Sequence, residues 1–433
     1  MNNYSAISNY IVYDGKGITP KYVDRSSIIV LNQKCVSNHQ IDYSLAQYTD
    51  DSQNILNSKF LRLGDIVINS TGTGTAGRSA LVTYIPTGKK VITDSHILIL
   101  RCASEDISAC LSYQLYSRED LLMSFMTGSS GQSEFDKVRL FDLQLMVIDD
   151  PVKLKNNLSL LFNIDKKIQT NNEVNIKLEE IAKTIFDDWF VQFDFPNENG
   201  QPYKSSDRKM VWNDELKRKI PENWEVLSLS NLIYESKNGD WGSESISEES
   251  TKCFCIRGAD INGLNGIENF NPPVRYIDKS HSNRLLKADD LIIEISGGSP
   301  TQSTGRMAHI SQDVLARLDN KVVCSNFCKA ISLNKTKLSY IISRYWARLY
   351  VSGTFFNHEG KTSGIKNLLF DQLAKDVKIA LPTDENLINE YYELEKSIDK
   401  QKQNILVQNK ELIKLRDWLL PMLMNGQVKV SDK

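Results

Sequence analysis

The sequence lacks the features that mark secreted proteins and membrane proteins. Its 433 residues include seven cysteines, and an odd number in a chain of this length argues against a disulfide framework. No apolar run approaches the ~18 residues of a transmembrane helix. The opening residues, MNNYSAISNYIVYDG, have neither the basic start nor the apolar core of a signal peptide. We therefore expect a cytoplasmic protein without membrane contact.

An excess of charge of either sign is also missing. The chain carries 52 Lys and Arg residues against 54 Asp and Glu residues, which gives a net charge of −2. This balance argues against a protein that coats nucleic acid by bulk positive charge, although it leaves room for local basic patches. Apolar residues make up 41% of the chain and charged residues 24%, so a folded globular protein is predicted.

Metal-binding patterns are scarce. The five histidines are scattered, and none has the spacing of a paired metal ligand. The pairs Cys253-x-Cys255 and Cys324-x₃-Cys328 do not have the spacing of a zinc ribbon or a zinc finger. We therefore predict buried free thiols at these four positions and no metal site.

Three motifs of nucleotide-binding or methyl-transferring enzymes are present only in part. Residues 72–77 form a GxGxxG pattern, but the residues after it predict a strand where a dinucleotide site needs a helix. Gly360-Lys361-Thr362 lacks the first glycine of a phosphate-binding loop. Asn271-Pro272-Pro273-Val274 resembles the NPP-aromatic motif of amino-methyltransferases, but valine cannot stack on a base. Residues 72–77 are therefore predicted to be a loop between two strands.

The sequence is built twice. The segment LRLGDIVI at residues 61–68 corresponds to LKADDLII at 286–293, so that Asp290 follows Asp65 at a shift of 225 residues. Downstream, Ile164-Asp165-Lys166 corresponds to Ile398-Asp399-Lys400 at a shift of 234 residues. A shift that grows slowly along the chain is what small loop insertions produce. We therefore predict a tandem repeat; the alternative is two unrelated domains that each end in a helix.

Heptad repeats predict a long helix at the end of each copy. Each helix is expected to span roughly 35 residues, or about 50 Å. Because a globular block separates the two apolar stripes, the helices are expected to pack on each other antiparallel. The predicted seam residues are Ile164, Leu178, Ile181, Ile185 and Phe186 on the first helix and Ile398, Ile405, Leu412, Leu415 and Leu419 on the second. The second row of this seam is predicted at Leu160, Val174, Ile181, Leu394 and Leu415.

Strand-rich segments precede both helices. Short β-branched runs such as Ile28–Val30, Ile66–Ile68 and Ile97–Leu100 are separated by clusters of Gly, Pro, Asn and Asp. The predicted fold class is therefore α+β, with two strand-rich domains separated by two long helices packed as an antiparallel coiled coil. The predicted boundaries are residues 1–151 and 196–383 for the domains and 152–195 and 384–433 for the helices.

Polar side chains and an arginine flank the glycine-rich loop in both copies. Gly77-Arg78 in the first copy corresponds to Gly305-Arg306 in the second. Such groups hold a phosphate or reach a base edge, whereas the alternative is that each arginine braces its loop. The candidate DNA contacts of these loops are Asn69, Thr71, Thr73, Arg78, Ser296 and Arg306.

A basic stretch in the second copy is a further candidate. Residues 335–366 contain six basic residues and one acidic residue, with Tyr340, Tyr345, Trp346 and Tyr350 between them. Basic residues interleaved with aromatics suit nucleic-acid contact. The alternative, a solvated amphipathic helix with its aromatics packed inward, stays open. The candidate phosphate contacts are Arg344, Arg348, Lys361 and Lys366.

Four segments carry a resemblance to a known family. Residues 419–430 read LLPMLMNGQVKV, and LEEIAKTIF at 178–186 is followed by WFVQFD at 189–194. Gly64–Ile68 and Pro221–Trp224 match the core and the opening of a recognition domain. In these segments the chain resembles the DNA-specificity subunit of type I restriction–modification systems, whose C-terminal motif is LLPxLMxGxxxV.

This resemblance implies a function and a set of partners. Two target-recognition domains would each read one half of a bipartite site in double-stranded DNA, and the helices would dock two methyltransferase (M) subunits. Restriction (R) subunits with translocase and nuclease activity would join them. The chain itself would be non-catalytic and would bind no cofactor, since S-adenosylmethionine, ATP and Mg would be bound by the partner subunits. A self-sufficient DNA methyltransferase or nuclease and a coiled-coil adaptor without DNA binding remain as alternatives.

Overall fold

Each of two units in the chain combines a strand-rich block with parts of two long helices. The first unit consists of residues 1–169 and 411–433, and the second consists of residues 170–410. The structure is a computed structural model that describes residues 4–72, 74–127, 134–266, 270–297, 302–362, 365–424 and 427–428.

The first unit begins with a series of short strands. These are β1 (Tyr4–Ala6), β2 (Ile11–Lys16), β3 (Tyr22–Val23), β4 (Ile28–Leu31), β5 (Val36–Ser37), β6 (Gln40–Ile41), β7 (Gln47–Thr49), β8 (Ile66–Asn69), β9 (Ser79–Leu81), β10 (Lys90–Thr93), β11 (Ile97–Cys102), β12 (Met126–Thr127), β13 (Glu134–Phe135) and β14 (Gln144–Met146). The helices that begin in this unit are α1 (Glu105–Tyr116), α2 (Glu119–Met123), α3 (Lys137–Phe141) and α4 (Pro151–Phe186).

The second unit has a similar series of elements. Its strands are β15 (Met210–Asn213), β16 (Arg218–Pro221), β17 (Trp224–Ser228), β18 (Ile233–Asn238), β19 (Ser250–Ile256), β20 (Val274–Asp278), β21 (Asp290–Glu294), β22 (Ser296–Gly297), β23 (Met307–Ile310), β24 (Val322–Cys324), β25 (Cys328–Leu333), β26 (Glu359–Thr362), β27 (Ile365–Leu368) and β28 (Lys378–Pro382). The helices that begin here are α5 (Leu229–Leu232), α6 (Ile261–Leu264), α7 (Gln312–Leu318), α8 (Ser339–Val351), α9 (Phe370–Asp376) and α10 (Glu385–Met424).

The central sheet has the same strand order in both units. The order is β2-β11-β8-β9 in the first unit and β18-β25-β21-β23 in the second, with antiparallel pairing throughout. A second sheet contains one parallel pair in each unit, β4 with β10 and β19 with β24. Two sheets with matching order and direction confirm the predicted tandem repeat.

The strand at the centre of each repeat is buried on both faces. In β8, Ile66 and Ile68 pack into one apolar cluster and Val67 packs into another. Residues on both faces of such a strand are apolar, which explains the unbroken apolar run that made it recognisable in the sequence. A buried aspartate at the start of each of these strands forms an ion pair with a basic side chain. Asp65, just before β8, accepts a hydrogen bond from Arg101 Nε at 2.7 Å, and Asp290, the first residue of β21, accepts one from Lys237 Nζ at 2.7 Å.

The helices α4 and α10 run antiparallel to each other in both units. In the first unit, Arg416 Nη1 of α10 donates to Asp165 Oδ1 of α4 at 2.9 Å. In the second, Asn409 Nδ2 donates to Asn172 Oδ1 at 2.7 Å, and Lys402 pairs with Glu179. These contacts, which we call the polar ladder, recur every seven residues on each helix. An antiparallel pair of heptad helices is what the sequence predicted.

The second row of the helix seam is offset by one residue from the prediction. On α10 the inward positions are polar ones, Glu395, Lys402, Asn409 and Arg416, and on α4 they are Leu161, Ile168, Asn175 and Ala182. The predicted and the observed second-row residues both lie three or four positions from the first row of the seam. Heptad periodicity alone therefore allows either set. Ile181 is 50% exposed and Leu415 is 42% exposed, and their assignment to the seam is therefore wrong.

The other predicted seam residues face inward to different degrees. Those that are buried are Ile164, Phe186 and Ile398, and those that are half-buried are Leu178, Ile185, Ile405, Leu412 and Leu419.

Among the described residues, no helix combines the length and the apolar composition that crossing a membrane requires.

Candidate nucleic-acid interface

The two predicted loops start at equivalent edges of the two central sheets. Asn69 N donates to Arg78 O at 2.9 Å in the first unit, and Glu294 N donates to Arg306 O at 2.9 Å in the second. Arg78 thus lies directly before β9, which pairs with β8, and Arg306 lies directly before β23, which pairs with β21. We call this region the loop edge of each unit, and it includes the turn before β11 or β25.

Glycines shape the loop edge of the first unit. Gly77 has a φ of +83°, and a Cβ atom at this position would lie 2.8 Å from Met123 N, so that no other residue fits without displacing the backbone. Thr71 Oγ1 lies 2.9 Å from His96 Nδ1, and Gln33 Nε2 donates to Thr71 O at 2.6 Å. β9 follows the loop directly, which confirms the predicted strand-loop-strand arrangement.

Asn69 has a structural position at this edge. Its side chain is fully buried and donates from Nδ2 to Gln33 O at 3.1 Å. Within the described residues, Asn69 Oδ1 has no hydrogen-bond partner. A buried amide of this kind holds the loop against its neighbour rather than facing solvent. Thr73, also predicted here, lies outside the described residues.

Arg78 is the exposed cation of the first loop edge. Its side chain is 37% exposed, and its Nε lies 3.9 Å from Glu119 Oε1, a distance that leaves the pair loose. Burial raises the pKa of Glu119, while Arg78 acts to lower it. His39 lies 3.5 Å from the same carboxylate, but burial and the charge of Arg416 lower its pKa to about 3, so it is neutral at physiological pH. The guanidinium of Arg78 is therefore the cation that a ligand of this edge would meet.

Arg306 is held differently from Arg78. Its Nε and Nη2 donate to the two oxygens of Glu294 at 2.9 and 2.6 Å, and both side chains are largely buried. A bidentate pair of this kind is strongly oriented. The bracing alternative therefore describes Arg306 better than base contact does. Ser296 Oγ also donates within the unit, to Asn367 Oδ1.

The aromatic side chains of the basic stretch pack into the second unit. Trp346 Nε1 donates to Gly305 O at 2.6 Å, and Tyr345 OH donates to Phe190 O at 3.1 Å. Tyr340 is buried, and Tyr350 OH donates to Ser303 O. The first part of the stretch thus contains an amphipathic helix, α8, with inward aromatics, so these aromatics do not support nucleic-acid contact.

One basic side chain of this stretch is buried in ion pairs, and two others are at least partly exposed. Arg344 is bound in a buried ion-pair network with Glu395 and Glu179, so we leave it out of the proposed interface. Arg348 is 54% exposed, and Lys366 Nζ lies 3.0 Å from Glu359 Oε2 at the foot of the β26–β27 hairpin. Lys361 belongs to β26, but its side chain lies outside the described residues.

Two residues of the loop edges were missed in the sequence. His96 O accepts from Ser70 N at 2.8 Å, and Phe327 O accepts from Ile295 N at 2.9 Å, which makes His96 and Phe327 equivalent. Both side chains are exposed. No motif marks either residue, because their equivalence depends on strand register rather than on a shared residue type.

All seven cysteines are free and buried. Cys253, Cys255, Cys324 and Cys328 are buried free thiols, as predicted. Burial raises the pKa of Cys253 to about 11 and that of Cys255 to about 12, so both are protonated thiols at neutral pH. The described residues contain no cluster of three or more His, Cys, Asp or Glu side chains that suits a metal ion.

Comparison with known proteins finds a similar sequence and a similar fold. No protein-family model matches the chain. The type I restriction enzyme MjaIX specificity subunit of Methanocaldococcus jannaschii is 22% identical over 363 residues, which cover 82% of this chain and 77% of that protein.

A solved structure supports this fold. The S subunit of a type I restriction–modification system from M. genitalium aligns with 100% of this chain and 97% of its own, with a TM-score of 0.52 at 13% identity. The HsdS subunit from Thermoanaerobacter tengcongensis aligns with 98% of this chain and 97% of its own, with a TM-score of 0.32 at 12% identity. The resemblance found in the sequence is thus confirmed: the chain is related in sequence to a type I specificity subunit and has the fold of the M. genitalium S subunit.

Proposed function

We propose that this chain is the DNA-specificity subunit of a type I restriction–modification complex. The observation that carries the proposal is the duplicated loop edge, with Arg78 and Arg306 at equivalent backbone positions of two repeated sheets. A repeat of one binding edge suits a target with two half-sites. Since the net charge is −2, sequence discrimination by a few side chains fits better than tight non-specific binding.

The proposed domain boundaries are those that the sequence predicts. Residues 1–151 and 196–383 are the two recognition domains, and residues 152–195 and 384–433 are the spacer helices. In the first domain, Thr71, Arg78 and His96 face the DNA, with Thr73 included from the sequence. In the second domain, Ser296 belongs to the loop edge, while Arg348, Lys361 and Lys366 contact phosphates. Asn69 and Arg306 hold the loops in place.

The chemistry belongs to partner subunits in this proposal. The chain recognises double-stranded DNA in the cytoplasm and is not itself a catalyst. Two M subunits supply adenine methylation with S-adenosylmethionine, and R subunits supply ATP- and Mg-dependent translocation and cleavage. Exposed apolar residues on the helices, among them Ile181, Leu415 and Trp418, suit the docking of the M subunits.

The modified sequence in cells tests this function. Methylome sequencing of cells that express the chain with its methyltransferase subunit should show a motif of two short half-sites separated by a fixed gap. Cells that express either protein alone should show no such motif. Methylation by this chain alone would favour the self-sufficient enzyme. A purified complex that shows no mobility shift with any DNA would favour the adaptor.

Replacement of Arg78 by alanine should weaken binding of the cognate duplex by about 1–3 kcal/mol, the contribution of a bidentate arginine–guanine pair. The loss should be confined to one half-site and should shrink when one guanine there is replaced by 7-deazaguanine, which lacks the N7 acceptor. Glu119→Gln, which leaves the arginine in place, is the matched control and should keep the base preference. Unchanged affinity of a folded Arg78→Ala complex would exclude Arg78 from base recognition.

A further inference from the structure

Phe327 stands on a rigid turn at the loop edge of the second unit. Its neighbour Ser325 is buried and donates from its backbone N to Ile256 O at 2.8 Å, and Cys328 N closes the turn on Ser325 O at 2.8 Å. Gly239 packs so closely on this turn that a Cβ atom there would lie 1.9 Å from Ser325 O. The turn thus has little freedom, yet the Phe327 side chain is 54% exposed.

The position of Phe327 matters more than its exposure. Phe327 O accepts backbone hydrogen bonds from Ile295 N at 2.9 Å and from Ser296 N at 3.1 Å, so that its turn lies against the predicted recognition loop. The first unit has His96 at this place, with Nδ1 2.9 Å from Thr71 Oγ1. One site in the repeated fold therefore presents an imidazole in one unit and a phenyl ring in the other.

Arg306 and Ser296, the polar residues predicted at this loop edge, are already engaged within the chain. Arg306 is bound to Glu294 by two hydrogen bonds, and Ser296 Oγ donates to Asn367. Phe327 thus presents an exposed apolar ring at this edge, beside the exposed side chain of Asn326 on the same turn. The base feature that an apolar side chain recognises in the major groove is the 5-methyl group of thymine.

We infer that Phe327 is a specificity-determining residue that contacts the 5-methyl group of a thymine in one half-site. The inference rests on the proposed function, because it requires the loop edge to meet DNA. It also implies that the two domains read DNA by different chemistry. Hydrogen bonds from Arg78 and His96 would serve one half-site, and an apolar contact from Phe327 would serve the other.

Deoxyuridine in place of thymidine tests the contact directly, since it removes the methyl group alone. The full complex with its methyltransferase subunits is titrated with duplexes that carry one such replacement at each thymine of the methylated motif. One position should weaken binding by the wild-type complex about fourfold, which corresponds to the ~0.8 kcal/mol of burying one methyl group. The Phe327→Ala complex should bind the thymine duplex at least about fourfold more weakly and should be insensitive to deoxyuridine at that position.

Tyr234→Ala is the matched control. Tyr234 is an exposed aromatic residue of the same unit, at the end of β18 that pairs with the far end of β25, away from Phe327. This variant should keep the affinity and the deoxyuridine sensitivity of the wild type.

Three outcomes would overturn the inference. If the wild-type complex binds its bipartite site but no thymine couples to Phe327, the proposed function stands and the inference is wrong. If Phe327→Ala weakens binding without any coupling to deoxyuridine, the ring acts as a wedge between base steps. If the complex has no bipartite site at all, the proposed function fails and the inference fails with it.

Discussion

Replacement of Arg344 by alanine is expected to lower the free energy of unfolding of the second unit by about 3–5 kcal/mol, the usual result of leaving a buried charge without its partner. Arg344 Nε donates to Glu395 Oε1 at 2.9 Å and Nη2 to Oε2 at 3.1 Å, and it also pairs with Glu179. The Glu395 side chain is only 2% exposed, so water cannot replace the guanidinium. Urea unfolding followed by circular dichroism measures the change.

Arg348→Ala is the matched control for this variant. Arg348 lies one turn further along α8, is 54% exposed and pairs with Asp187. Surface pairs of this kind contribute about 0–1 kcal/mol, so that Arg348→Ala should unfold almost as the wild type does. Equal stability of the two variants would show that the buried network does not stabilise the fold.

The pH dependence separates the loss of charge from the loss of packing. Burial raises the pKa of the Glu179 carboxyl, but Arg344 and Lys402 outweigh this effect and hold the pKa at about 2. A lowered pKa gives stability that is present above the ordinary value near 4.5 and is lost as the pH falls towards 2. The difference between wild type and Arg344→Ala should therefore shrink below pH 4.5. A difference that is constant with pH would indicate packing alone.

If α4 and α10 act as the proposed spacer, lengthening both by one heptad should widen the gap between the two half-sites by about three base pairs. Seven residues add about 10.5 Å to a helix, and DNA rises ~3.4 Å per base pair along a strand. Duplicating residues 166–172 of α4 and 403–409 of α10 keeps every contact of the polar ladder in register. Each half-site should stay the same. Affinity should fall, because three base pairs also turn the duplex by about 100°.

A single insertion is the control for the paired one. With seven residues added to α4 alone, the pairs Asp165–Arg416 and Glu179–Lys402 cannot both form. Folding and modification should therefore both suffer. The measurement is the methylated motif of each variant. A full-strength motif with an unchanged gap in the paired variant would show that the helices do not set the spacing. Altered half-sites would show that the helices contribute to base recognition.

Much of the fold follows from patterns that the sequence displays openly. The central strands β8 and β21 are buried on both faces, so their apolar runs stand out and reveal the repeat. The strand after residues 72–77 was predictable as well, because the segment there is rich in residues that favour strands, such as Val82, Thr83 and Tyr84, and ends at Pro86. These features are local, since burial of one segment determines its residue types.

The second row of the helix seam was not predictable in the same way. Its α10 residues Glu395, Lys402, Asn409 and Arg416 are polar, and their inward position depends on partners that are far away in the sequence. The loop edges show the same limit. Arg306 is bound by Glu294, whereas the equivalent residue in the first unit is Asn69, an uncharged amide. Arg78 is therefore largely free.

The cations of the polar ladder lie on α10 and have no counterparts at the equivalent positions of α4. At the repeat shift of 234 residues, Lys402 and Arg416 correspond to Ile168 and Ala182 of α4. Two separate copies of the first half, associated through α4 in the same antiparallel alignment, would set Asp165 against Ala182 and Glu179 against Ile168. Neither carboxylate would then meet the cation that it pairs with in the full chain. Self-association of a half-length fragment is thereby disfavoured, and the fused chain is the form in which the complementary charges meet.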